Sequence, residues 1–156
     1  MNSIGNIIGE ICKAVFPIPE ESYMGNIQSS IAICTLSSIN LLKNIANSDF
    51  LNNVSIVGRL LSENKGIDSI VRYTNQNKNL KTIIICGKEV WGHNAGHSLF
   101  QLHQNGIDSN GRIIGSSSPE PFLSVSQDEV IYFQQNIRLI NMINETNLEK
   151  IKQKIF

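Results

Sequence analysis

With 156 residues, 41% of them apolar, the chain is long enough for one domain with a real core and needs no second. Thirteen Lys and Arg balance thirteen Asp and Glu without any basic block. That argues against a nucleic-acid surface, because neutralising phosphates takes clustered positive charge. No run approaches the roughly eighteen consecutive apolar residues of a membrane helix. Met1–Phe16 is mildly apolar, but it has neither a basic start nor a long apolar stretch, so it does not read as a signal peptide. Cys12, Cys34 and Cys86 are widely spaced, with no Cys-x-x-Cys, and two of them sit in apolar runs. They read as thiols in a reducing cytoplasm.

Strand-like and helix-like patterns then alternate. Ile31–Thr35 predicts a buried strand, and Ser38 can cap a helix that follows through Ala46. Val54–Gly58 predicts a second short strand, Ile67–Asn75 a helix, and Thr82–Cys86 the clearest strand of the chain. Ala95–Gln104 places Leu99, Phe100, Leu102 and His103 in helical reach, and Asn105-Gly106 supplies a stop. Arg112–Ile114 is a brief extended piece before a loop at Gly115–Pro121. Ser126–Gln135 opens on Ser126-x-x-Glu129, a capping box. Ile137–Met142 predicts a last strand and Thr146–Ile155 a closing helix capped by Thr or Asn. Continuous apolar strands alternating with helices imply an α/β fold: a single Rossmann-like domain, its mostly parallel sheet covered on both faces.

In open α/β sheets ligands bind beyond the carboxyl ends of the strands. Thr35–Ser38, Gly58–Asn64, Cys86–Gly96 and Gly115–Ser118 all follow apolar runs and can meet at one rim. Their Gly, Ser and Thr content lets a ligand approach the backbone, although ordinary strand–helix turns share that composition. All three histidines lie between residues 93 and 103. His93, between Gly92 and Gly96 just past a strand, suits a metal ligand or a base, or is an exposed loop histidine. Glu89, His93 and His97 stand four residues apart and would line one helical face like a zinc site. Gly92 and Gly96 interrupt such a helix, however, and no cysteine or second carboxylate completes the set. His103, alongside Leu99 and Leu102, reads as structural, and Cys86 as a small apolar residue before Gly87. Ser116–Ser118 lack the Gly-x-Ser-x-Gly elbow of a hydrolase, and neither a P-loop nor a dinucleotide fingerprint is present. Asp108–Gly111 reads as a turn.

His93-Asn-Ala-Gly96 resembles half of the Asp-x-His-x-x-Gly element by which corrinoid proteins give cobalt its lower ligand. Trp91 stands in the place of the aspartate, and Glu89 is the residue expected to partner His93. A longer pattern is more specific: Cys86-Gly87-x-Glu89-Val90-x-Gly92-His93-x-x-Gly96, Leu102-His103-x-Asn105-Gly106-Ile107-Asp108 and Gly111-Arg112-Ile113-Ile114-Gly115. With Tyr23–Asn26, Thr35–Ser38 and Ser62–Ile67 upstream, and Pro121, Phe133 and Arg138–Ile140 downstream, it resembles the A subunit of tetrahydromethanopterin S-methyltransferase from Tyr23 onward.

The resemblance implies an N-terminal extension over residues 1–22 and a corrinoid-binding domain over 23–156. It implies a cobamide, 5-hydroxybenzimidazolylcobamide or cobalamin, with His93 as the axial ligand of cobalt. Cofactor contacts are expected from Thr35, Leu36, Ser37, Glu63, Asn64, Gly87, Glu89, Val90, Gly92, Gly96, His97, Gly115, Ser116, Ser117, Ser118 and Pro121. No catalytic residue is expected beyond the cofactor, which carries a methyl group from methyl-tetrahydromethanopterin to coenzyme M in methanogenesis. Other methyltransferase subunits are the implied partners, and the place is the cytoplasm or the cytoplasmic face of a membrane.

Three positions depart from the family pattern: His97 replaces a usual Gln, and Ser37 and Ser118 replace usual glycines. His97 is therefore a second candidate ligand or a contact to the corrin edge. Membrane-bound members add a C-terminal membrane helix that is not seen before Phe156, so the expectation is an excised domain or a free-standing relative. The alternatives are a stand-alone corrinoid carrier for another methyl transfer and a zinc hydrolase using Glu89, His93 and His97.

Overall fold

Ile83, Ile84 and Ile85 are all buried, and a strand that is apolar on both sides of its pleat needs cover on both faces. The structure, a computed structural model describing residues 21–156, supplies it. Five strands form one sheet in the order β1-β3-β2-β4-β5. They are β1 (Ser22–Met24), β2 (Ile31–Cys34), β3 (Ile56–Gly58), β4 (Thr82–Gly87) and β5 (Arg138–Ile143). β2, β3, β4 and β5 pair in parallel, and β1 closes one edge antiparallel to β3. The helices are α1 (Ile39–Ala46), α2 (Lys65–Gln76), α3 (Ala95–Asn105), α4 (Gln127–Asn136) and α5 (Leu148–Lys152), with a short 3-10 turn at Asp49–Asn53.

The period of two assigns residues to two cores. Ala32, Cys34, Ile83 and Ile85 pack with Ile67 and Val71 of α2, Leu99 and Leu102 of α3, and Val130 and Phe133 of α4. On the other face Ile33, Val57, Ile84 and Cys86 meet Leu41, Leu42 and Ile45 of α1, Phe50, and Ile151 of α5. Each fully buried Ile or Leu contributes about 1.5–3 kcal/mol, so this two-sided burial is what holds the parallel strands in register.

The expected strands and helices are present with shifted ends. The capping box of α4 forms: the Glu129 N–H donates to the Ser126 hydroxyl at 3.2 Å, and the Ser126 N–H donates to the Glu129 carboxylate at 2.7 Å. Ser38 precedes α1 but does not cap it with its side chain. Its hydroxyl instead accepts the Lys88 N–H at 2.9 Å, because the loop after β4 runs close above. The closing helix is shorter than its pattern, Leu148–Lys152, and is capped by Asn147, whose side chain accepts from the Glu149 and Lys150 N–H groups. Residues 112–114 make only isolated bridges, Ile107 with Ile113 and Arg112 with Phe122. β1 has no counterpart among the expected strands, since its three residues are all exposed and show no alternation.

Cys34 and Cys86 are buried free thiols. Burial pushes the Cys34 thiol up to about 12 and raises that of Cys86 as well, with Cys34 and Glu145 as lesser contributors to the latter. Cys12 lies outside the described residues. Among the described residues no helix is long and apolar enough to cross a membrane.

Candidate functional site

Because β2, β3 and β4 are parallel, the loops that leave them share one rim. These loops are tied to one another through their backbones. The Thr35 N–H donates to the Gly58 carbonyl at 2.8 Å, and the Ser37 N–H and hydroxyl both donate to the Lys88 carbonyl, at 2.9 and 2.6 Å. A Cβ on Gly87 would stand 2.3 Å from the Thr35 carbonyl oxygen, and Gly87 has a φ of +76°. Only glycine lets the β2 and β4 loops cross this closely. Leu36, fully buried, holds a φ of +51°, which costs a non-glycine residue about 1–2 kcal/mol. Its Cδ2 would lie 3.1 Å from a Cβ on Gly96, so it plugs the space left by that missing side chain. Strain stored this close to a rim is typical of a functional site.

His93 sits on a turn in which its own N–H donates to the Val90 carbonyl at 3.1 Å. Gly92 (φ +81°) and Asn94 (φ +48°) bend the chain on either side of it, and Gly92 faces open space. The imidazole is about half exposed, and its Nδ1 lies 2.8 Å from Oε2 of Glu63. Glu63 is 1% exposed, and its Oε1 accepts the Glu120 N–H at 3.0 Å. Burial would raise the Glu63 carboxyl. The backbone N–H groups of Glu63 and Glu120, together with His93, outweigh it and leave the group below the usual carboxylate range. An ionised carboxylate only accepts, so Nδ1 carries the proton. In the neutral ring the lone pair then sits on Nε2, the nitrogen turned away from Glu63 on a half-exposed side chain. That is the arrangement of a metal-ligating histidine with its supporting carboxylate.

Glu89 is not that carboxylate. It accepts the N–H groups of Gly96 at 3.1 Å and His97 at 2.8 Å, so it caps the start of α3. The reason is the turn at Val90–Asn94, which separates Glu89 from His93 before the helix begins. The four-residue spacing of Glu89, His93 and His97 therefore never falls on one helix. Among the described residues no three His, Cys, Asp or Glu side chains gather to hold a metal ion, and the zinc arrangement does not form.

The remaining expected residues fall into four groups. Asn64 caps α2 by accepting the Lys65 N–H at 2.7 Å and donates to the Glu120 carbonyl at 3.3 Å, which steadies the loop whose N–H meets Glu63. Ser118 reaches the rim from below, its hydroxyl donating to the His93 carbonyl, while Ser116 is buried beside it and Ser117 is exposed. Gly115 and Pro121 are not at His93. Gly115 lies against Gln101 and Asn105 toward the end of α3, and the Pro121 carbonyl accepts the Ile113 N–H at 2.8 Å. His97 is half-buried, and its Nε2 is enclosed without a hydrogen-bond partner among the described residues. His103 is structural: its Nε2 is 2.6 Å from the Ile137 carbonyl and its ring meets Phe133 edge-on.

A cleft of about 530 Å³ opens beside the rim between Ser37, Ser38, Asn40, Asn44, Lys88 and Thr146. Two participants escape a reading by residue type and spacing. Glu120 contributes a backbone N–H, which leaves no residue signal. Ser98 is a buried serine on the apolar face of α3, and its position beside Ala95, Leu99 and Leu102 is the signal that marks it.

Residues 12–156 match the family model of the A subunit of tetrahydromethanopterin S-methyltransferase. The chain is 43% identical over 138 residues to the A subunit of the "Putative methyltransferase Mtx" of Methanosarcina barkeri, covering 87% of this chain and 66% of that protein. It is 31% identical over 148 residues to the second of the tetrahydromethanopterin S-methyltransferase A subunits of Methanothermobacter marburgensis, with 89% and 77% covered. It is 33% identical over 143 residues to the corresponding A subunit of Methanosphaera stadtmanae, with 90% and 55% covered. The chain thus spans just under two thirds of the first of these relatives and about half of the last.

Proposed function

The chain belongs to the family of tetrahydromethanopterin S-methyltransferase A subunits, and from that premise we propose that its rim binds a cobamide, 5-hydroxybenzimidazolylcobamide or cobalamin, which Nε2 of His93 would hold through its cobalt. The observation that carries this reading is the 2.8 Å pair of His93 Nδ1 with the buried Glu63 carboxylate. It leaves an imidazole nitrogen of the right protonation state at an exposed edge, among loops built from small residues. Neutral imidazole is a good ligand for cobalt, so the residues present fit the group.

A bound cobamide supplies a cobalt centre able to accept and release a methyl group, and the protein's part is to position and tune it. Glu63 keeps the proton on Nδ1 and, through that hydrogen bond, makes Nε2 a better electron donor. Gly92, which faces open space, keeps the approach to His93 free of bulk. The family's name gives tetrahydromethanopterin and transfer to sulfur; on the reading proposed here, methyl-tetrahydromethanopterin is the methyl donor and coenzyme M the acceptor. Other subunits present both, and this chain is the carrier between them.

The test is to mix the purified chain with cobalamin, remove the excess, and record the visible spectrum of wild type and His93→Ala. Retained corrin bands that change with the substitution are expected. Bands that are retained but identical in the variant would move the ligand away from His93, and no retained corrin would overturn the cofactor assignment itself.

A further inference from the structure

Directly beneath the His93 turn, the apolar core is interrupted by three buried hydroxyls: Ser98 of α3 and Ser116 and Ser118 of the following loop, none more than 5% exposed. Ser98 Oγ lies 2.6 Å from both Ser116 Oγ and Ser118 Oγ. The Ser118 N–H donates to Ser116 Oγ at 3.1 Å. The Ser118 hydroxyl meets the His93 carbonyl and, at 3.3 Å, the Asn94 carbonyl.

Counting protons gives this cluster a direction. A carbonyl only accepts, so the single hydroxyl proton of Ser118 is committed to His93. The short Ser98–Ser118 contact then needs its proton from Ser98. With that proton used, the equally short Ser116–Ser98 contact needs its proton from Ser116, whose oxygen is free to accept the Ser118 N–H. Each donor is used once and each close contact holds one proton. The reverse assignment would leave the Ser118 hydroxyl oxygen facing the His93 carbonyl oxygen with no proton between them in a buried site. Hydrogen bonds ordered head to tail in a low-dielectric core strengthen one another.

The end of the chain of hydroxyls is where backbone is under load. Asn94 stands in the left-handed region just before α3, and its side chain makes no capping hydrogen bond there. Such a conformation costs a non-glycine residue of order 1 kcal/mol or more and persists only where its surroundings enforce it. The carbonyls on both sides of that bend, those of His93 and Asn94, are the ones Ser118 grips.

We propose that Ser116, Ser98 and Ser118 act as one positioning relay, which fixes the His93 peptide so that Glu63 can hold one side of the ring while the other faces the ligand. The relay rests on the reading of His93 as a cobalt ligand, and it makes Ser98 and Ser116 positioning residues although neither reaches the rim.

The test uses the full chain as wild type, Ser98→Ala, Ser118→Ala, the double variant and Ser118→Thr, which keeps the hydroxyl. Thr74→Val is the control for losing a buried hydroxyl elsewhere, since Thr74 donates to the Val71 carbonyl on α2. The first measurement needs no cofactor: NMR of the His93 ring nitrogens, assigned by their loss in His93→Ala. Wild type, Ser118→Thr and Thr74→Val should show the Nδ1-protonated ring. Ser98→Ala and Ser118→Ala should both move its signals toward a mixture of tautomers, and the double variant no further.

The second measurement is binding of aquocobinamide, a corrinoid without its own nucleotide base. Affinity should fall about tenfold in either single variant, and by no more in the double. Wild-type His93 signals in Ser98→Ala, or effects that add in the double variant, would overturn the relay. A wild type that shows the ring pattern yet retains no aquocobinamide would overturn the cofactor reading and leave the relay standing. If Ser118→Ala does not fold, Ser116→Ala removes the first donor and decides the question by the same two measurements.

Discussion

Replacing Glu63 with Gln probes the site without changing its shape. The amide oxygen can still accept the Glu120 N–H at the 3.0 Å contact, but an NH2 group now faces His93 Nδ1 across the 2.8 Å contact. Two donors cannot share that contact, so Nδ1 must accept, and the ring proton moves to Nε2. The outward nitrogen then has no lone pair to offer. Loss of such a supporting partner typically costs 10–100-fold in metal affinity, and about that loss is expected for aquocobinamide.

Stability should change too, by about 1 kcal/mol near neutral pH, as a charge-assisted hydrogen bond becomes a neutral one. The pH dependence has a definite sign. The Glu63 carboxyl lies below its ordinary value in the folded chain, so the unfolded state binds its proton more tightly. The carboxylate's contribution is complete above the ordinary glutamate value of about 4.3 and is lost as pH falls through the lower folded value. Urea unfolding of wild type and Glu63→Gln should therefore show a gap at about pH 5 that closes as the solution is made more acid than about pH 4. A Glu63→Gln variant with wild-type aquocobinamide affinity, or a gap that does not shrink below about pH 4, would refute the assignment of Glu63 as an ionised partner of His93.

Two further outcomes follow from the packing. Gly87→Ala places a methyl 2.3 Å from the Thr35 carbonyl and forces alanine into a φ of +76°; a loss of about 3 kcal/mol in urea unfolding is expected, and a loss under about 1 kcal/mol would mean that the two rim loops separate easily. With burial holding the Cys34 and Cys86 thiols in their protonated form, a Cys12→Ser chain should resist alkylation at about pH 8 until it is unfolded, and labelling in the folded state would show that the β2–β4 core opens.

The sheet is readable from sequence because strands covered on both faces need little context. Ile83, Ile84 and Ile85 can be apolar in a row only where helices lie above and below, and the capping box of α4 depends on residues three apart. β1 escapes the same reading: Ser22–Met24 is exposed and gains its place by pairing with β3, not from any pattern of its own. At the site, His93 is legible as a group worth watching, since its neighbours bend the chain and expose it. Its partner is not legible. Glu89 is near in sequence and on the expected spacing, yet it turns to the unsatisfied N–H groups at the start of α3, which need an acceptor wherever a helix begins. Glu63 stands 30 residues away and arrives only because β3 and β4 flank β2 in parallel. Local spacing records what one element demands of its own backbone, whereas the pairing of a ligand with its carboxylate is set by strand order. A buried charged residue just past a parallel strand, with no partner in its own segment, is therefore the signal to pursue across the rim.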